Sequence, residues 1–255
     1  MNLVDSHCHL QFEKLYDDLD GVLSRAKKAD VNKMMCVGTT LADSQQSIEI
    51  AAGHDNIWAA VGVHPHDSKA FSEADIEKLK ELMTRPKVVA VGEIGLDYFK
   101  NYSPPVIQQE CLKLFMEAAV PSKLPFIFHV RDAFDDFWPI FDSFSNHGVH
   151  GVIHSFSAGR AELDEILKRN LYVGLNGIMT FSKNSEQLAA AKAVPLDRLI
   201  LETDAPFLAP AGYRGQICEP KHIRDIAEFL AELRGESLEE LAAATTKNAE
   251  KLFNI

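Results

Sequence analysis

The sequence predicts a single-domain (β/α)8 TIM barrel spanning residues 1–255, and three observations carry that prediction. Short apolar runs alternate with charged, helix-periodic stretches along the whole chain. Eight such runs fit the length that one barrel occupies, about 200–250 residues. Nearly every run also finishes with a residue capable of chemistry. In an open doubly wound sheet the outer strand ends lie too far apart to cooperate, whereas in a barrel all eight converge on one mouth.

The runs are Asn2–His9, Lys33–Thr39, Ile57–His64, Val88–Glu93, Pro125–Arg131, Gly151–Ser155, Tyr172–Asn176 and Leu199–Asp204. Each is short and mostly apolar, as strands buried on both faces must be. Their reactive ends are His7 and His9, Thr39, His64, Glu93, His129, His154, Asn176 and Asp204. Between the runs lie amphipathic helices. Ser72-Glu73-Ala74-Asp75 has capping-box character and leads into Ile76, Leu79 and Leu82. Ala161–Lys168 places Leu163, Ile166 and Leu167 on one face, and Ser237-Leu238-Glu239-Glu240 starts a helix carrying Leu241 and Leu252. No Pro/Gly/Ser-rich linker, low-complexity segment or charge block divides the chain.

Lysine and arginine total 26 and aspartate and glutamate 37, a formal charge of −11. Such a field does not attract a polyanion, so a phosphate-bearing substrate would need a local positive feature, and bound cations are the obvious one. The four cysteines, Cys8, Cys36, Cys111 and Cys218, are scattered and form no C-x-x-C pair. A reducing, cytoplasmic location fits them better than a disulfide framework. No run approaches a membrane span.

Alternation along a strand puts His7 and His9 on one face, roughly 6.5–7 Å apart, within reach of one cation. Cys8 then faces the other way, toward covering helices, as a buried thiol. Asp5 shares the histidine face but lies deeper. It either hydrogen-bonds a ligating imidazole or is a satisfied buried carboxylate. Glu93 closes an otherwise apolar run, where a carboxylate needs a partner, and its two oxygens can bridge two cations. His129 and His154 occupy equivalent positions at the ends of their runs. Asp204, at the end of the eighth run, is placed to ligate metal and to accept a proton from a metal-bound water. Glu202 shares its face without an assigned role. Arg131, two residues beyond His129, either grips a substrate phosphate or carboxylate or makes a rim salt bridge with Asp132 or Asp135. His64 is either a substrate contact at the mouth or, like His66 beyond Pro65, a surface or capping histidine.

Mixed nitrogen and oxygen ligation suits zinc, manganese or iron, and magnesium where water completes the shell. The donors suffice for two cations about 3.5–4 Å apart, so the reaction class is metal-assisted hydrolysis. The chain lacks the GxGxxG, GxxxxGK[ST] and GxSxG motifs of other catalytic plans.

Leu3–Leu10, Gly62-Val63-His64-Pro65-His66, Gly92–Tyr98, Pro125–Arg131, Leu201–Pro206 and the closing Asn248–Phe253 together resemble the TatD family of metal-dependent deoxyribonucleases. The resemblance covers almost the whole chain. It implies divalent metal at His7, His9, Glu93, His129, His154 and Asp204, the six residues selected above, with Asp204 as general base. It also implies hydrolysis of DNA, commonly as a 3′-to-5′ exonuclease favouring single strands, with Mg or Mn for activity and Zn sometimes in the site. Attack by metal-bound hydroxide, with Glu93 and Asp204 as catalytic carboxylates and His64 and Arg131 as substrate contacts, is the resulting expectation. A monomer without membrane association is expected. Gln11, Phe126 and Cys218 depart from the family pattern, and Cys218, on the loop after the eighth strand, would alter substrate contacts. A small amide, lactone or phosphoester substrate on the same barrel is the alternative, and a non-catalytic metal-binding scaffold a third reading.

Overall fold

The computed structural model describes residues 1–100 and 102–255. Among them eight strands form one sheet in chain order. They are β1 (Leu3–Cys8), β2 (Val31–Val37), β3 (Ile57–Val61), β4 (Val88–Asp97), β5 (Phe126–Arg131), β6 (Gly151–His154), β7 (Tyr172–Leu175) and β8 (Leu199–Leu201). Helices α1 (Glu13–Tyr16) and α2 (Leu19–Lys28) follow β1, α3 (Leu41–Ala52) follows β2, and α4 (Ile76–Met83) follows β3. Next come α5 (Pro105–Ala119), α6 (Phe134–Ser143), α7 (Arg160–Lys168) and α8 (Ser185–Ala193), one after each of β4 to β7. After β8 the chain ends with α9 (Ile223–Arg234) and α10 (Leu238–Phe253). This is the (β/α)8 barrel class. No helix among the described residues is long and apolar enough to cross a membrane.

The chain divides into two compact units, Met1–Cys36 with Ser155–Ile255, and Val37–His154. In the first, β7 pairs with β8 and β1 with β2, all parallel. The β8 end returns to β1 through Asp204 N–H to His7 O (2.9 Å), His9 N–H to Ala205 O (2.7 Å) and the Ser6 hydroxyl to Leu201 O (2.8 Å). In the second unit β3, β4, β5 and β6 pair in parallel, with His129 level with His154. The strands are buried on both faces, as their continuous apolar runs require.

The helix signals act as read. Ser72 N–H and hydroxyl both reach Asp75 Oδ2 (2.9 Å each), and α4 then buries Leu79 and Leu82. The Ser237 side chain accepts the Glu240 N–H at the start of α10. Three strand ends differ from the predicted ones by three or more residues. β3 stops at Val61 and leaves His64 beyond the ladder; β8 stops at Leu201, three residues short of Asp204; β4 continues past Glu93 to Asp97. Gly95 sits within β4, where a Cβ would lie 1.9 Å from His129 O. Thr39 is not part of a reactive rim. Its N–H and hydroxyl bind Asp43, which also forms a capping box with Thr40 at the start of α3.

His222, in the short 3-10 turn before α9, accepts the Glu219 N–H on Nδ1 (3.0 Å) and is 2 % exposed. Burial, with repulsion from Lys221, pushes its imidazole down to about 4. Unfolded, the same ring takes its proton near its ordinary value. This stabilisation is therefore present above that value and is lost as pH falls toward the folded one. Urea unfolding at about pH 6.5 and about pH 4.5 should show the wild type losing on the order of 2 kcal/mol more than His222→Gln. Equal losses would mean that the ring titrates normally in the folded chain.

Candidate metal centre

Within each unit one group of side chains offers metal-ligating atoms that lie within 4.8 Å of one another. In the first unit these are His7, His9 and Asp204. His7 sits in β1 and His9 one residue past its end, and alternation brings their rings to 5.0 Å, edge to face. Asp204 Oδ1 lies 3.3 Å from His9 Nε2 and 3.8 Å from His7 Nε2. Asp204 has a left-handed backbone (φ 62°), an uncommon conformation for a side-chain-bearing residue, held by its N–H bond to His7 O. Phe12 stacks on the His9 ring at 4.9 Å, and Phe207 meets it edge-on.

Asp5, whose role alternation leaves open, is a satisfied buried carboxylate. It accepts the Thr203 N–H (2.9 Å), the Thr203 hydroxyl (2.6 Å) and the His7 N–H (3.3 Å), all from backbone or hydroxyl and not from an imidazole ring. Burial pushes its carboxyl up to about 7 against those bonds. Its work is to fix the Leu201–Ala205 turn against β1. Glu202 accepts the Ser155 N–H and also lies among the side chains that could hold a cation. Cys8 faces away from the histidines, fully buried, and donates to Met35 O (3.3 Å). Cys218 is also fully buried, with Sγ 3.6 Å from His222 Nδ1, so it presents nothing to a substrate and the expectation that it alters substrate contacts is corrected. Gln11 accepts the Cys36 thiol (3.0 Å), and Phe126 stacks on Phe128.

In the second unit the group is His64, Glu93 and His129. Glu93 is 3 % exposed, and its Oε1 is 2.7 Å from His129 Nδ1, 3.6 Å from His64 Nε2 and 3.7 Å from His154 Nε2. Three imidazoles thus surround this carboxylate. Close backbone approach makes this possible, since a Cβ on Gly62 would lie 2.4 Å from Gly92 C and 2.7 Å from Glu93 N. His64 Nδ1 accepts the His66 N–H (3.1 Å), so the neutral ring carries its proton on Nε2. Burial, partly offset by the Glu93 charge, pushes this ring down to about 3 and keeps it neutral. His64 therefore presents an N–H on Nε2, 3.6 Å from Glu93, and its Nδ1 caps the short helix Pro65–Ala70.

The structure adds one residue to which the sequence assigns no role here. Asp97 is 1 % exposed, and its Oδ2 lies 2.9 Å from His129 Nε2 and 3.2 Å from His66 Nε2. Its Oδ1 accepts the N–H groups of Phe99 (3.0 Å) and Lys100 (3.1 Å). Burial alone would raise this carboxyl, but the His129 bond and charge, the Lys100 N–H and the His66 charge hold it well below the usual carboxylate range. Burial likewise opposes protonation of His129, yet Asp97 and Glu93 together raise that ring to about 9. With Nε2 on Asp97, the nitrogen that His129 offers to a cation is Nδ1, facing Glu93. The signal was present in the motif Gly92–Tyr98: once β4 runs to Asp97, Glu93, Gly95 and Asp97 share a two-residue period.

Arg131 has no carboxylate within ion-pair distance among the described residues, which removes the rim-salt-bridge alternative with Asp132 or Asp135. Its guanidinium lies 3.8 Å from the Phe99 ring centroid instead. Asn176 caps its own turn by accepting the Ile178 N–H, and it donates to the Ser155 hydroxyl.

Both groups combine imidazole nitrogens with carboxylate oxygens, the donor chemistry of zinc, manganese and, with water, magnesium. Because Asp97 fixes the ring that faces Glu93, Asp97→Asn should weaken Mn2+ binding by roughly ten- to a hundredfold, measured by equilibrium dialysis. Unchanged affinity would show that Asp97 serves only the turn that follows it.

The family profile of the TatD related DNases matches residues 4–254. An uncharacterized metal-dependent hydrolase of Escherichia coli K12, YcfH, is 40 % identical over 259 residues, covering 100 % of this chain and 97 % of its own. A protein of Citrobacter rodentium named 3′-5′ ssDNA/RNA exonuclease TatD is 34 % identical over 258 residues, covering 99 % and 98 %. The crystal structure of a TatD homolog, YJJV, from Escherichia coli K12 superposes with a TM-score of 0.94 at 30 % identity, covering 99 % of this chain and 98 % of that one.

Proposed function

The chain belongs to the TatD related DNase family of metal-dependent hydrolases, and on that premise we propose that it is a divalent-metal-dependent deoxyribonuclease cutting single-stranded DNA from its 3′ end. The observation that supports this most directly is the pair of imidazole–carboxylate donor groups, His7, His9 and Asp204 in one unit and His64, Glu93 and His129 in the other. In a (β/α)8 barrel the C-terminal strand ends open on one face, which is the reason to assign both groups to one reaction.

Two cations per chain are proposed, magnesium or manganese in the active enzyme, with zinc able to occupy the same donors. His7, His9 and Asp204 would hold one. Glu93, His129 and His154 would hold the other, with His64 kept as a donor by its tautomer. When bound, such cations lower the pKa of a coordinated water and neutralise charge on the phosphoryl group. The remaining work falls to the chain. Asp204 Oδ1, partly exposed beside His9, receives the proton lost by the attacking water. His64 Nε2–H donates to a phosphoryl oxygen. Arg131, pinned by Phe99 with its donor fork open, takes a neighbouring phosphate. Four free, buried cysteines suit the cytoplasm.

The formal charge of −11 means that binding must be focused on the cations and on Arg131. Affinity for single strands should then fall with salt at a log–log slope of only about −1 to −2. A much steeper slope would reveal a broad basic track. Single-stranded oligonucleotides labelled at either end, with Mg2+ or Mn2+ and with chelator, test the reaction itself. Asp204→Asn and Glu93→Ala should each lower turnover by at least roughly a hundredfold. Full activity in either variant would sink the mechanism, and turnover of a small ester or amide without cleavage of DNA would sink the substrate assignment.

A further inference from the structure

Beside the Glu93–His129 group stands a set of side chains that the metal chemistry does not use. Phe99 is 52 % exposed and Tyr102 60 % exposed, two of the larger apolar surfaces left open on the chain. Exposed rings of this size are costly unless something covers them. Both are anchored. Phe99 follows the turn that Asp97 ties down through its N–H bonds to Phe99 and Lys100, the same carboxylate that holds His129. The Tyr102 ring meets the His66 ring edge to face at 4.8 Å, and His66 is itself 3.2 Å from Asp97.

The charge around these rings is positive in an otherwise acidic chain. Arg131 stacks on Phe99 at 3.8 Å, Lys100 Nζ lies 5.3 Å from the same ring, and Lys69 Nζ donates to Tyr102 O. Arg25, Arg160, Arg169, Arg224 and Arg234 are each held by a carboxylate, whereas Arg131, like Arg198 and Arg214, lies over a ring. A guanidinium fixed by its face keeps all its N–H donors directed outward, the arrangement that suits a phosphate. An open aromatic face next to such a cation matches a nucleotide unit whose base is not paired, because stacking needs the base free of a partner strand.

We propose that Phe99, Arg131 and Tyr102 form a nucleotide subsite beside the Glu93–His129 group, in which Arg131 takes a phosphate and Tyr102 stacks on an unpaired base. The subsite rests on the nuclease reading and adds to it a contact with the base itself. Stacking on aromatic side chains tolerates every base, so the subsite selects unpaired strands over paired ones without selecting sequence.

Binding of a labelled thymidine oligonucleotide, and of a deoxyribose-phosphate chain of equal length without bases, measured by fluorescence anisotropy with chelator present, tests the subsite. Wild type should prefer the oligonucleotide with bases by about tenfold. Tyr102→Ala should abolish that preference, and Tyr102→Phe should retain it. Phe99→Ala, which frees Arg131, should weaken binding of both chains. Equal preference in wild type and Tyr102→Ala, or loss of preference in Tyr102→Phe, would overturn the stacking role. Cleavage is read separately. Oligonucleotides bound with a ring-dependent preference but cut under no divalent cation would sink the nuclease reading and keep the subsite. Cleavage with no dependence on the ring would do the reverse.

Discussion

A carboxylate buried in an apolar strand cannot stay ionised without compensation, and Glu93 is such a carboxylate. Much of the second unit is arranged around that constraint. Gly62 and Gly95 let neighbouring backbone approach where any side chain would collide. His129, His64 and His154 come within 2.7 to 3.7 Å of a single oxygen of Glu93. Asp97 then holds the far side of His129, and Gln108 holds Asp97, accepting its N–H and donating to its carbonyl. Glu93, His129, Asp97 and Gln108 are thus linked in series by hydrogen bonds, a chain that is cooperative when complete and expensive when any member is missing.

The first unit meets the same constraint differently. Its buried Asp5 is satisfied by backbone N–H groups and a hydroxyl and so serves as a brace, whereas Glu202 accepts the Ser155 N–H and remains among the side chains that could hold a cation. The carboxylate grouped with His7 and His9 is Asp204, presented on a left-handed turn. The distinction is physical: a carboxylate saturated by backbone donors has little capacity left for a cation, whereas one facing imidazoles retains it.

What the sequence made legible follows from period. Apolar runs gave all eight strands, and alternation separated Cys8 from His7 and His9 correctly. Strand ends were less legible, because ending a ladder depends on tertiary approach. The run that predicts β4 ends at Glu93, four residues before Asp97, and the close approach of the His129 carbonyl to Gly95 within the rest of the strand is a tertiary feature. The His64 tautomer was invisible for the same kind of reason, since it depends on the N–H of His66 pointing at Nδ1. The Arg131–Phe99 stack required two strand ends to be neighbours, which no local pattern encodes. The burial of Cys218, on a loop that reads as exposed, likewise came only from packing.

If the two donor groups are the metal centre, the chemistry of the chain follows from them, and acidic composition is no obstacle to a phosphodiester substrate. Cation stoichiometry tests that claim most directly. Native mass spectrometry of the full chain with Mn2+ should show two ions per chain, falling to one in His9→Ala and to one in His129→Ala. A chain that binds no Mn2+, or that keeps full occupancy in both variants, would contradict the account.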